Sequence, residues 1–307
     1  MNSAKEFKSG FAAIVGRPNV GKSTLLNSLL GEKVAIITNK PQTTRNNIRG
    51  VLNTATEQIV FVDTPGIHVS KNKLGENMVK SAETTAVGAD VVLLLTAPTV
   101  GGRPVHKQDE AIIHKMAAGK AAVATFLVIN KIDTIQKNEI LPIVDAYKDL
   151  FDFTEIVPIS ALKGENLMNL RDLVTKYLPT GPRYFPEGVV TDASDAFLVA
   201  EMIREKALYL LQEEVPHGIA IEILSLKLRE DKPIIDIQAN IYCEKNSHKG
   251  MIIGKQGAML KEIATRARMD IQRIYDEKIN LQLWVKVKEN WRDSDFLIRN
   301  FGLKSES

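Results

Sequence analysis

The chain is nearly devoid of cysteine. One thiol, Cys243, among 307 residues excludes an internal disulfide framework, and the five histidines stand at no ligand spacing from it. Neither a disulfide scaffold nor a Cys/His metal cluster is therefore expected, which suits a reducing cytoplasm. Long apolar runs are also missing. None approaches the roughly 18 residues of a membrane-spanning helix, and the opening MNSAKEFKSG has no apolar stretch of the secretory-signal kind. There are no internal repeats and no low-complexity segments. Excess charge of one sign is absent too: the net charge is +3, with 21 basic and 17 acidic residues over 1–178 and 19 and 20 over 179–307. Neither half is a polycation, so any nucleic-acid surface must be local. Residues 243–273, with seven basic side chains against three acidic ones, are the place for it.

What is present is ordinary globular material, 44% hydrophobic and 25% charged, in a chain long enough for two cores. Short apolar runs recur over the first part: GFAAIVG (10–16), EQIVFVD (57–63), ADVVLLLTA (89–97), TFLVINK (125–131, within the apolar AAVATFLVI of 121–129) and EIVPIS (155–160). They read as buried strands, and the helical patterns between most of them predict an α/β domain with a mainly parallel sheet over 1–178. NLMNLRDLVTKYL predicts its last helix, before PTGPRYFPEG with three prolines and two glycines; 179–194 reads as a linker. The rhythm then changes. DAFLVAEMIREKALYLLQEEV (195–215) predicts a helix, GIAIEILSLKLRE and KPIIDIQANIYCE a hairpin turning at Asp231, MIIGKQGAMLKEIATRARMDIQRIYDEK two helices around a turn, and INLQLWVKVKE (279–289) a closing strand. The order α-β-β-α-α-β makes 195–290 an α+β domain, followed by a tail over 291–307.

Four motifs carry the chemistry. GRPNVGKS (16–23), between a strand and the helical TLLNSLL, matches G-x-x-x-x-G-K-[ST]. Gly16, Arg17, Pro18, Asn19, Val20, Gly21, Lys22, Ser23 and Thr24 would wrap a triphosphate. Backbone N–H groups and Lys22 would face the phosphates, and Ser23 would hold Mg²⁺. DTPG at the end of the next apolar strand supplies Asp63 for the same metal and the N–H of Gly66 for a γ-phosphate; Thr64, Pro65 and Ile67 complete the stretch. Ile67 stands where many such proteins have a water-orienting glutamine and has no polar group to offer. NKID (Asn130, Lys131, Ile132, Asp133) selects the base: the Asp133 carboxylate can accept two hydrogen bonds from guanine, which adenine cannot supply. Ser160 and Ala161 of SAL would close the base pocket, with the Ala161 N–H offered to the guanine oxygen. The set implies GTP and GDP as ligands, Mg²⁺ as cofactor, and Lys22, Asp63 and Gly66 in catalysis.

In the second domain IIGKQG contains a bare G-x-x-G, worth little alone. It gains weight from the element order, which matches a type II KH domain, and from Lys245, Lys249, Lys255, Lys261, Arg266 and Arg268. Gly254 and Gly257 would admit an RNA backbone closely, Lys255 and Gln256 would meet phosphates, and Met251 and Ile252 would face bases, with Lys249 and Lys261 flanking.

Taken together, GRPNVGKST, PQTTR, DTPGIH, NKID, SAL and IIGKQG resemble the TrmE–Era–EngA GTPases over nearly the whole chain. A single P-loop departs from EngA, and the lack of a helical host domain with a C-terminal cysteine departs from TrmE, leaving the Era subfamily. That resemblance implies Thr44, beside Thr43, as the residue that reports the γ-phosphate and joins Ser23 and Asp63 on Mg²⁺; the sequence does not choose between the two threonines. It implies Asn19 as a catalytic residue holding K⁺ beside the phosphates. It accounts for Ile67 as a hydrophobic residue at the glutamine position, and implies slow hydrolysis. The expected partners are the 3′ region of 16S ribosomal RNA and the 30S subunit, bound by a monomer in the cytoplasm with a peripheral hold on the inner face of the cell membrane. The competing reading is a regulatory GTPase whose KH fold docks proteins.

Overall fold

The structure, a computed structural model, describes residues 6–67, 70, 72–99, 103–118 and 123–303. His68 of the DTPGIH stretch and Ala121 and Ala122 of the fourth apolar run lie outside these residues. The chain folds into two compact units. The first comprises Met1–Ala35, Thr44–Lys71 and Gly75–Asp192; the second comprises Ile36–Thr43, Asn72–Leu74 and Ala193–Ser307.

The first unit runs β1 (Lys8–Val15), α1 (Lys22–Leu30), β2 (Ile48–Asn53), β3 (Glu57–Asp63), α2 (Lys73–Val87, from Gly75 onward), β4 (Val91–Thr96), α3 (Lys107–Ala118), β5 (Ala124–Ile129), α4 (Ile140–Lys148), β6 (Glu155–Pro158) and α5 (Leu167–Tyr177). The sheet order is β2-β3-β1-β4-β5-β6. All neighbours are parallel except the edge strand β2, which runs antiparallel to β3 with Ile48 opposite Asp63. β3 and β4 are buried at every position because helices cover both faces, so their sequences are continuous apolar runs rather than alternations. After β1 the chain goes to β3 on one side and β4 on the other. Ligands of open α/β sheets bind at such a reversal, beyond the carboxyl ends of the strands. GRPNVGKS follows β1 at that point.

Two sequence expectations change here. The strand β2 has no counterpart in the sequence reading, because IRGVLN follows a polar loop and carries Arg49 and Gly50. The Pro/Gly-rich segment read as a linker belongs, through Asp192, to the first unit. Its backbone bonds run to two strands of the sheet: Val51 N–H of β2 donates to Val190 O (2.8 Å) and Ser9 N–H of β1 to Pro179 O (3.1 Å).

The second unit follows the expected order with α6 (Asp195–Leu210), β7 (Ala220–Leu228), β8 (Ile234–Cys243), α7 (Asn246–Ile253), α8 (Ala258–Tyr275) and β9 (Lys278–Val287). β7 and β8 are antiparallel, β8 and β9 parallel. Helix α6 starts where the Ser194 hydroxyl accepts from the Phe197 N–H and stops at Leu210, earlier than the apolar pattern suggests, because Leu211 turns to an extended conformation. Alternate residues of β8 and β9 (Ile235, Ile237, Ala239, Ile241, Ile279, Val285) pack with Ile203 of α6 and with Ile263, Ala267 and Ile271 of α8 into one core. The C-terminal segment is folded as well: Trp291 is fully buried, its indole donates to Gly218 O (2.9 Å), and α9 (Asp295–Asn300) follows.

Candidate active site and nucleic-acid interface

The phosphate loop takes its shape from two close approaches. A Cβ on Gly16 would lie 2.3 Å from Leu95 O, and one on Gly21 would lie 2.4 Å from Asn130 Nδ2; both residues have positive φ. Only glycine fits either place. No side chain caps the N-terminus of α1, so its first N–H groups face the loop. Lys22 closes the loop from inside: Nζ donates to Gly16 O (3.1 Å) and Arg17 O (3.2 Å). Burial pulls its pKa down from 10.5 to about 8, against the opposing pull of Asp63. An ammonium so desolvated gains more from a phosphate than one in water would.

Ser23, Thr44 and Asp63 meet behind that lysine. The Ser23 hydroxyl donates to Asp63 Oδ2 (2.7 Å), Thr44 Oγ1 does the same at 3.2 Å, and the two hydroxyls lie 2.9 Å apart. Asp63 is fully buried with Oδ1 unpartnered, and burial lifts its pKa against the pull of Lys22. Two hydroxyls and a carboxylate with a spare buried oxygen suit a hard divalent cation such as Mg²⁺. The adjacent Thr43 is engaged elsewhere, with Thr38 Oγ1 at 2.7 Å and Lys40 O at 2.6 Å. Between the two threonines the sequence left open, only Thr44 reaches the carboxylate.

Gly66 lies against the loop, where a Cβ would come within 3.0 Å of Pro18, and Ile67 N–H donates to Gly16 O (3.2 Å). The Ile67 side chain turns into the apolar cluster of Val92, Ile112 and Ile113 and lines a cavity of about 310 Å³ between α2 and α3. Thr64 is pinned by its hydroxyl to Ile14 O (2.8 Å), and Pro65 is buried beside it.

The base motif is tied to the same loop. Asn130 Nδ2 donates to Val20 O (2.8 Å), and Lys131, in the left-handed region, reaches Asn19 O with Nζ (2.7 Å). Asn19 is itself left-handed, as a tight loop apex requires. The Ser160 hydroxyl donates to Asp133 Oδ1 (2.6 Å), orienting an exposed carboxylate, and Ile132 N–H holds the turn to Ile159 O (3.2 Å). The Ala161 N–H donates to Asn130 Oδ1 (2.9 Å) and so ties two motifs together.

In the second unit, Gly254, Gln256 and Gly257 all have positive φ between α7 and α8. A Cβ on Gly254 would strike Met259 at 2.7 Å, so this glycine is fixed by packing as well as by conformation. Lys255, Gln256 and Lys261 are exposed and Lys249 half-buried. Met251 is 52% exposed, but Ile252 is fully buried in the core and faces no ligand, because α7 must spend one apolar side chain on its own packing. Arg266 is engaged by Glu262 (2.6 Å) and stacks over Tyr209, and so is a helix-face residue. Sequence reasoning missed Asp109, which bonds Arg17, and Thr96 and Tyr147, which bond Asp109. Nothing in GGRPVHKQDE or LPIVDAYK marks them, since their meeting is purely tertiary.

A triphosphate loop, a γ-phosphate sensor and a guanine motif converge at the carboxyl ends of inner strands of a mainly parallel sheet, with a G-x-x-G turn in a separate α+β unit. Together they define a P-loop GTPase joined to a KH domain. Similarity to known proteins agrees. Residues 11–131 match the family described as 50S ribosome-binding GTPase, and residues 214–292 match the KH domain. GTPase Era of Clostridium kluyveri is 52% identical over 297 residues, covering 97% of this chain and 99% of that one. A crystal structure of Era in complex with MgGDPNP and nucleotides 1506–1542 of 16S ribosomal RNA is 44% identical, with a TM-score of 0.92 over 97% of this chain and all of that one. A variant of Aquifex aeolicus Era bound to GDP·AlF4⁻ gives the same TM-score and coverage at 43% identity. The chain belongs to the Era family of GTPases.

Proposed function

We propose that this GTPase is a slow molecular switch that binds the 3′ region of 16S ribosomal RNA and assists assembly of the 30S subunit. The observation that carries the reading is the exposed Lys255–Gln256 pair on a glycine-framed turn, in a chain that also holds a full set of GTP motifs. The related Era bound to MgGDPNP and 16S nucleotides supports it.

In the proposed reaction the loop from Gly16 to Thr24 cradles the phosphates through backbone N–H groups, and Lys22 neutralises charge that grows as the γ-phosphoryl departs. Gly66 offers its N–H to the same group, and Asp133 with Lys131 orients the base. Ser23, Thr44 and Asp63 would hold Mg²⁺, which supplies further neutralisation of the phosphate oxygens. Ile67 contributes no polar group, so positioning and charge do the work and the intrinsic rate is low. Asn19, at the loop apex, would hold K⁺ near the phosphates. Single-turnover hydrolysis is then faster in potassium than in sodium at equal ionic strength, and Asn19→Ala abolishes the difference; equal rates for the parent protein would remove potassium from the mechanism.

Cytoplasmic work as a monomer, with peripheral contact at the membrane, completes the reading; no helix among the described residues is long and apolar enough to cross a membrane. The decisive test is RNA binding by a 16S 3′-end fragment at several salt concentrations. Lys255→Asp with Gln256→Asp sets two negative charges against RNA phosphates and should weaken binding by about tenfold or more while GDP affinity is unchanged. Undiminished RNA binding would favour a protein-docking KH domain.

A further inference from the structure

Asp109 belongs to none of the motifs, yet its carboxylate is completely buried within the GTPase unit. It sits in the first turn of α3, and Oδ2 accepts from Arg17 Nε (3.1 Å), Thr96 Oγ1 (2.7 Å) and Tyr147 Oη (2.8 Å). The two hydroxyls are 2.7 Å apart and close the network, while Oδ1 is buried without a partner. Arg17 also donates through Nη2 to Ala97 O (2.8 Å). Arg17, the second residue of the phosphate loop, is thus held from the end of β4 and from α3, and Tyr147 of α4 holds the α3 carboxylate in turn.

Stability alone is a poor account of this cluster. A buried ion pair loses hydration that its mutual attraction barely offsets, and apolar side chains of similar volume commonly do as well. A guanidinium beside a triphosphate site would by itself turn its planar fork to the phosphate oxygens. Asp109 takes that fork and makes it an anchor. The anchored residue matters because its own carbonyl receives Lys22, together with the carbonyl of Gly16, which also holds the Ile67 N–H. Thr96 extends the link, since its carbonyl accepts the Asn130 N–H at 2.9 Å.

We propose that Asp109 and Tyr147 are positioning residues for GTP hydrolysis: acting through Arg17, they fix the phosphate loop, and with it Lys22, before the nucleotide arrives. Electrostatics support the geometry. Burial, and then the charge of Arg17, lowers the pKa of Lys131, whose ammonium reaches the phosphate loop at Asn19 O. Burial, then the Asp109 charge, raises the pKa of Tyr147, which keeps it a neutral donor. The proposal deepens the GTPase reading and does not depend on RNA.

The test uses the full chain and reads single-turnover hydrolysis at saturating GTP per folded molecule, with GDP affinity and melting temperature alongside. Tyr147→Phe, Asp109→Asn and Arg17→Met should each slow hydrolysis by between about tenfold and about a hundredfold, the range that a small misplacement of catalytic groups can cost. Arg17→Lys should not rescue, because an ammonium cannot hold Asp109 and Ala97 O in one planar fork. The double variant Arg17→Met with Tyr147→Phe should be no slower than Arg17→Met, since both act through one side chain. Variants that only melt lower, with rates within about twofold of the parent, would make the network structural and overturn the proposal. So would a double variant whose losses multiply. Should Asp109→Asn not fold, Tyr147→Phe decides alone, because it removes a single hydroxyl.

Discussion

Ile67 sits one residue past Gly66, where an attacking water would be oriented, and its side chain goes the other way, into the cluster of Val92 and Ile112. The consequence is testable at this residue. Ile67→Gln should not accelerate hydrolysis, because the amide would enter an apolar site; it should instead cost about 1–3 kcal/mol of stability, seen in denaturant titration. A tenfold faster variant would show that the side chain can reach the nucleotide. Asp133 makes the opposite case, an exposed carboxylate held by the Ser160 hydroxyl. Asp133→Asn exchanges an acceptor for a donor and should shift preference from guanine to xanthine nucleotides by about a hundredfold or more, as expected where a polar group is left unpaired. Titration calorimetry with both nucleotides measures it, and undiminished GTP affinity would remove Asp133 from base selection.

Among the elements, α1 and the β8–β9 pair show how register converts sequence into chemistry. Helix α1 lacks a side-chain cap and an acidic first turn, which would be a defect elsewhere and here leaves its N-terminus open to phosphate. Along β8 and β9, Asp236 lies opposite Asn280, and Arg229 folds back from beyond β7. Hydrogen bonds from Arg229, then Asn280, hold Asp236 down at about 2. A carboxylate depressed in the folded state stabilises above its unfolded pKa of about 4, and that contribution disappears as pH falls from about 4 through about 2. Asp236→Asn should therefore lower the melting temperature at pH 6 and lower it less at pH 3. A gap that is the same at both pH values would show that the charge contributes nothing.

At the scale of the whole molecule, the division between units does not follow the division between motifs. Ile36–Thr43 groups with the second unit, whereas the next residue, Thr44, belongs to the nucleotide site of the first. Residues 179–192 complete the first unit: buried Gln58 receives the N–H groups of Tyr184 (2.7 Å) and Phe185 (3.0 Å), and Tyr184 packs edge-on to Phe11. A piece ending at Asp192 should thus outlast one ending at Leu178. Leaving the Gln58 carbonyl unsatisfied costs about 1–3 kcal/mol, and at about 2–4 °C per kcal/mol for a domain of this size the shorter piece should melt several degrees lower. Equal melting temperatures would return 179–192 to the status of a linker.

The sequence by itself determined the chemistry that is local. The loop GRPNVGKS, the turn DTPG, the base motif NKID and the order of elements around IIGKQG each depend on neighbours in the chain, through backbone conformation and periodicity, and all stand where their residues placed them. Tertiary structure decided what depends on packing. It brought the Thr44 hydroxyl to Asp63 and turned that of Thr43 to Lys40 O. It buried Ile252 while exposing Met251, since one side of a short helix must face the core. It gave the Ala161 N–H to Asn130, formed the edge strand β2 from a segment with no alternating pattern, and brought Asp109 to Arg17 and Tyr147 to Asp109. The Arg17–Asp109 bond joins residues 92 positions apart. Contacts of that kind leave no periodic trace in a sequence, because they are fixed by where strands end and helices begin in space.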